Sequence, residues 1–210
     1  MSVFLKAFVY WASGGLLLIP IGIVSFLIWM YFLGIHRHLK TVLKSPPDLG
    51  DRIKRYLEEG KNPNEIGRWL SKSDGIIPKW ASRVLAKAVR GGDVSDIMNE
   101  CRLTELPFIK HEMTILSALV IAAPMLGLLG TVLGMTTTFW AVSQTSADTT
   151  NLVAGGISQA LITTQLGLVS AIPGVFGLAY LRHMYEQLKT RTNILERHLS
   201  LAIHKFGVEM

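Results

Sequence analysis

Residues from about 7 to 35, 113 to 142 and 152 to 181 form three blocks that contain no Asp, Glu, Lys, Arg or His. A helix crosses a hydrocarbon core with roughly 20 apolar residues at about 1.5 Å rise each. All three blocks exceed that length, which leaves room for tilt or for projection beyond the bilayer. Helices buried in a soluble core seldom stay free of charge for so long. The pattern therefore predicts an all-α integral membrane protein with three transmembrane helices.

The polar sequence between the blocks predicts further helices. Asp48 and Asp51 precede Ile53 and Leu57, and Gly60 is a stop signal. Asn62 is a candidate cap, with Pro63 in the first turn and Glu65 ahead of Ile66, Trp69 and Leu70. A helix is expected from Pro78 to Arg90, ending at Gly91, and another from Asp93, with Asp96 near the positive end of its dipole, stopping before Pro107. After the third block, Leu181, Tyr185, Leu188, Thr192, Leu195, Leu199, Ala202 and Phe206 alternate steps of four and three. That 3.5-residue seam predicts that the third membrane helix continues and packs against the loop helices or neighbouring subunits.

Charge orients this arrangement. Fifteen of the 21 Lys and Arg residues lie in segment 36–112 and five follow Leu181, whereas segment 143–156 has none. The positive-inside rule puts both basic segments in the cytoplasm. Lys6 alone precedes the first block, and its apolar stretch outruns the roughly 7–15 residues of a cleaved signal core, so it is expected to remain as an anchor. The expected organisation is an outward N-terminus and first span (1–35), a cytoplasmic helical loop (36–112), second and third spans (113–181) with a short outer loop at 143–156, and a cytoplasmic C-terminal helix (182–210).

The formal net charge of +6 fits lipid contact. Eleven Asp and Glu residues are interleaved with the basic residues of the loop, which argues against nucleic-acid binding. Cys101 is a lone thiol, expected to be reduced and structural, and the six histidines lack metal-type spacing. No metal or cofactor site is expected. No nucleophile–base pair or phosphate loop points to an enzyme, and three spans without an internal repeat argue against a solute transporter.

The spans carry their own signals. Gly127, Gly130, Thr131, Gly134 and Thr138 form a small-residue stripe on the second, and Gly156, Ala160, Thr163, Gly167, Ala171 and Gly174 form one on the third. Lipid tails are as apolar as Leu, so such stripes serve close helix packing. Thr131, Thr136, Thr137 and Thr138, with Ser158, Gln159, Thr163, Thr164, Gln165 and Ser170, add polar content. Hydroxyls can bond back to their own helix, but an amide at membrane depth needs protein or water, so Gln159 and Gln165 suggest a polar interior or interhelical contacts. Pro124 and Pro173 each remove a backbone donor and are candidate kinks.

The stretch Ala123-Pro124-Met125-Leu126-Gly127-Leu128-Leu129-Gly130-Thr131-Val132-Leu133-Gly134-Met135, then Gly156-Ile157-Ser158-Gln159-Ala160-Leu161-Ile162-Thr163-Thr164-Gln165-Leu166-Gly167-Leu168 and Ala171-Ile172-Pro173-Gly174, resembles the membrane core of the MotA/TolQ/ExbB proton channel family. Three spans with an outward N-terminus are similar to its ExbB/TolQ branch; the MotA branch has four. The resemblance covers roughly residues 112–185.

It implies a bacterial inner-membrane homopentamer around two membrane helices of a single-span ExbD- or TolR-like partner bearing a membrane Asp. Proton flow down the proton motive force would then drive work on a periplasmic or outer-membrane effector, as in TonB-dependent transport. It also implies that threonines at the positions of Thr131 and Thr164 line the channel; with Thr163, Gln159 and Gln165 they are the candidate lining. The family often has a glutamate where this chain has Gln159. A non-conducting membrane scaffold of the same fold is the alternative that this departure supports.

Overall fold

The computed structural model describes residues 17–44, 49–60, 63–72, 75–88, 92–144 and 149–207. The N-terminus, residues 7–16 of the expected first span, the candidate cap Asn62, the stop at Arg90 and Gly91, and the outer loop at Asp148 lie outside these. The described elements are all helical: α1 (Leu18–Val42), α2 (Leu49–Glu58), α3 (Pro63–Lys72), α4 (Ile76–Ala88), α5 (Val94–Gln144) and α6 (Thr149–Gly207). Among them α1, α5 and α6 are long and apolar enough to cross a membrane.

The chain divides into two compact units. One holds the chain up to Leu33 with Thr114–Ala179; the other holds Gly34–Met113 with the chain from Tyr180 onward.

The second unit consists of the short helices α2, α3 and α4 with the stretches of α1, α5 and α6 that fall within it. Gly60, at φ 73°, follows α2 in the left-handed conformation that ends helices most easily at glycine. Tyr56 and Trp69 meet edge to face at 5.6 Å between α2 and α3, and α3 packs on α4. The α5 N-terminus is capped by Asp93, whose Oδ1 accepts from the Ser95 N–H at 3.0 Å. Ile53, Leu70, Val84, Leu85, Met98 and Ile109 are the buried heart of this unit.

The C-terminal seam is part of the same core. Leu181, Leu188, Thr192, Leu195 and Leu199 are buried, and Tyr185 is half-buried. The side chains of Ala202 and Phe206 lie outside the described residues. Polar clips flank the seam. Arg102 holds Glu196 at 2.6 Å and donates to Asn193 at 2.7 Å, and Arg191 donates to the Leu43 carbonyl at 3.3 Å. Burial pushes the Cys101 thiol up from its usual pKa, so the buried sulfur stays protonated and inert.

One expected boundary is corrected. The helix that begins at Val94 runs through Pro107 without ending and becomes the second membrane helix. Proline removes one helical hydrogen bond at a cost of roughly 3 kcal/mol. Met98, Cys101, Ile109, Met113 and Leu116 are buried along one face of this helix. At about 1.5–3 kcal/mol for each large apolar side chain, their burial exceeds that cost. Leu103, Pro107 and Phe108 are exposed, so the defect falls on the uncovered side.

In the membrane unit, only 22%, 28% and 33% of the apolar windows of α1, α5 and α6 are buried within the chain. Phe26, Trp140 and Phe176 are among the exposed side chains. Surface this apolar requires lipid or other chains to cover it.

Candidate functional site

The site is the antiparallel hairpin of α5 and α6, and its geometry follows from the missing side chains of its glycines. A Cβ at Gly167 would stand 2.7 Å from the Ala123 carbonyl oxygen, and one at Gly127 would stand 3.0 Å from the Thr164 Cα. A Cβ at Gly134 would be 3.0 Å from that of Ala160. Gly130 faces the Thr163 side chain and Gly156 faces the Thr138 hydroxyl, both in direct contact. Gly174 sits against Val120 and Ile28, the latter from α1. The two stripes thus meet each other, backbone against backbone, as small-residue interfaces allow in a bilayer.

The hydroxyls fall into two groups. Thr131 donates to the Leu128 carbonyl at 2.7 Å, Thr138 to that of Gly134 at 2.7 Å, and Ser170 to that of Leu166 at 2.9 Å. Thr136 and Thr137 also bond back to the Leu133 carbonyl, at 3.0 and 2.9 Å. Thr163 is buried, donates to the Ala160 carbonyl at 2.7 Å and lies 3.5 Å from the Gly127 carbonyl. Back-bonding of this kind satisfies a hydroxyl where no water is available. Thr164 behaves differently: its hydroxyl donates across the seam to the Gly127 carbonyl at 3.1 Å.

Thr164 also lines an open groove of about 500 Å³ with Ser158, Leu161, Ile162, Gln165 and Leu168. The groove brings together two of the five candidate lining residues, Thr164 and Gln165. Thr163 lies in the seam behind it. Thr131 and Gln159, both half-buried, are not among the described residues around the groove.

Helix α6 runs unbroken past Pro173, and α5 past Pro124. Ser158 was not singled out as a lining residue, although Ser158, Leu161, Gln165 and Leu168 share one face at steps of three and four. Gly177, whose Cβ would press on the Phe32 ring at 2.9 Å, was also missed as a packing position. It extends the α6 stripe by three residues beyond Gly174.

Neither membrane-crossing stretch of the hairpin offers a charge. Between Met113 and Gln144, and between Thr149 and Leu181, there is no Asp, Glu, Lys, Arg or His. The site can accept and donate hydrogen bonds but supplies no carboxylate, imidazole or cationic side chain of its own.

Comparison with known proteins agrees with this architecture. The profile of the MotA/TolQ/ExbB proton channel family matches residues 73–194, more than half of the chain. The chain is 28% identical over 222 residues to the Tol-Pal system protein TolQ of Haemophilus influenzae, covering 98% of this chain and 91% of that one. It is 26% identical over 173 residues to the biopolymer transport protein ExbB of Neisseria gonorrhoeae, 75% of this chain and 76% of that one. A shorter match, 40% identical over 83 residues, joins it to the biopolymer transport protein ExbB-like 3 of Synechocystis, with 39% of this chain and 40% of that relative's length. The small-residue hairpin, the charge-free spans and these likenesses together assign the chain to the MotA/TolQ/ExbB proton channel family, in its ExbB/TolQ-like branch.

Proposed function

We propose that this chain is the channel-wall subunit of a proton-driven machine in the bacterial inner membrane, with its N-terminus in the periplasm and its C-terminus in the cytoplasm. The observation that carries this reading is the α5/α6 hairpin: two helices whose stretches 113–144 and 149–181 contain no Asp, Glu, Lys, Arg or His, with Thr164 and Gln165 on an open groove, in a family of proton channels.

Proton relays in membranes usually employ Asp, Glu or His. The three spans contain none, so the titrating acid belongs to another chain. Its source in this reading is a single-span ExbD- or TolR-like protein with a membrane Asp, two of whose helices are enclosed by five copies of this subunit. The large uncovered apolar area of the spans suits that enclosure.

In each cycle the partner's carboxyl takes a proton from the periplasmic side, crosses the hydroxyl-lined wall as a neutral acid and releases the proton inward. Each proton descending 100 mV yields about 2.3 kcal/mol. Thr131, Thr163, Thr164, Gln159 and Gln165 form the wall in this account, and the glycines of both stripes keep it closely packed. The work is delivered to a periplasmic or outer-membrane effector, such as a TonB-like protein.

A non-conducting scaffold is the second reading, and one feature favours it: Gln159 stands where the family often has glutamate. Copurification from native membranes followed by mass measurement tests the assembly. Five copies of this chain with two of an Asp-bearing single-span protein are expected. A particle containing this chain alone contradicts the channel reading.

A further inference from the structure

A hydroxyl has one hydrogen to give and two lone pairs with which to accept. In the hairpin the hydrogens of Thr131, Thr163 and Ser170 are committed to carbonyls of their own helix. The hydrogen of Thr164 is committed to the Gly127 carbonyl of the facing helix, while its side chain lines the groove. That bond depends on close approach. Gly127 has no Cβ, and one would meet the Thr164 Cα at 3.0 Å and the Thr163 carbonyl oxygen at 3.1 Å. With its hydrogen drawn into the seam, the Thr164 oxygen has only acceptor capacity left for whatever enters the groove. Gln165 lies beside it on the groove.

We propose that Thr164, held by the Gly127 carbonyl, is an acceptor-only station that selects the protonated form of a carboxylic acid. It accepts a hydrogen bond from the neutral acid's O–H and gives a carboxylate no donor, while the apolar surroundings disfavour the carboxylate in the same direction. Gly127 is then a positioning residue acting through Thr164. The inference rests on the channel reading above and adds which protonation state the site favours and what fixes it. No charge of the hairpin competes, because residues 113–147 and 149–181 contain no ionisable side chain of the Asp, Glu, Lys, Arg or His type. The α1 span that touches α6 through Ile28 and Phe32 contains none from residue 18 to 35.

The test uses the complex purified with its companion chain and placed in lipid vesicles. Dicyclohexylcarbodiimide, which attacks protonated carboxyls in apolar surroundings, is applied across a pH series, and mass spectrometry reads the label on the companion's acid. Thr164→Val is expected to lower the half-labelling pH by up to about one unit, the size of one net hydrogen bond to the neutral form. Thr164→Cys retains the volume but accepts weakly; it is expected to lower the midpoint likewise, and it serves if the valine variant yields no complex. Thr164→Ser is expected to stay near the parent value.

A raised midpoint in the valine or cysteine variant would mean that the hydroxyl donates to a carboxylate, and it overturns the proposal. So does an unchanged midpoint. Protection by sodium at constant pH overturns it too, since the oxygens would then be holding a cation. A parent complex with no carbodiimide-reactive acid refutes the channel reading itself, and this inference with it.

Discussion

Thr164→Val is expected to cut proton-coupled work about tenfold or more while leaving the assembly intact. Valine matches threonine in shape but replaces the hydroxyl with a methyl group. Thr164 is half-buried, so the packing of α6 against α5 changes little. What disappears is the bond across the seam to the Gly127 carbonyl and the oxygen that faces the groove. Gly127 is a helix residue whose carbonyl lies within reach of the Thr131 N–H, so its loss of Thr164 leaves a backbone partner. A single hydrogen bond of about 1.4 kcal/mol at the rate-limiting passage lowers turnover tenfold. Energised uptake or envelope work should therefore fall to about a tenth or less, with normal amounts of assembled complex. Full activity in this variant removes Thr164 from the mechanism. The comparable change at Thr136, exposed and bonded back to the Leu133 carbonyl, is the matched control.

Gly167→Ala carries the second large effect, this time on stability. Its Cβ would stand 2.7 Å from the Ala123 carbonyl oxygen and 3.2 Å from the Gly127 Cα. Both obstacles are backbone, so no side chain can rotate away, and the helices must separate. Two contributions oppose each other here. Alanine improves helix propensity by about 1 kcal/mol. Overpacking of this sort costs about 1–3 kcal/mol, and separation also weakens the neighbouring contacts at Gly127 and Gly130. The clash wins. Gly155→Ala is the contrast, because nothing lies within 4 Å of its Cβ position. In detergent or bicelles, Gly167→Ala should melt earlier than the parent, and Gly155→Ala should melt at the same temperature or slightly higher. Equal melting of the two variants contradicts the close packing at Gly167.

The three membrane-crossing helices are legible because charge-free blocks longer than a bilayer have few other uses. The small-residue stripes are legible for a related reason: glycine repeated at helical spacing weakens a helix unless another backbone approaches it. The seam from Leu181 to Leu199 is equally plain, since its period sets one face of α6 apart from the basic one carrying Arg182, Lys189 and Arg197.

Other features depend on tertiary contacts that no local pattern encodes. Pro107 has the local signature of a helix end, and the helix passes through it because the opposite face is buried. Thr131 and Thr164 look alike as residues in a span. One bonds back to its own helix and the other crosses to Gly127, a difference set by where the facing backbone comes close. Gly177 belongs to the packing surface only because Phe32 of α1 lies on it.

Reconstitution in sealed vesicles under an imposed potential of about 100 mV examines the division of roles between this chain and its companion most directly, with internal pH followed by a trapped dye. The chain alone should conduct no protons above the lipid leak, because its spans contain no Asp, Glu or His to relay them, and flux should appear when the Asp-bearing companion is added. Proton flux through the chain by itself would contradict the account.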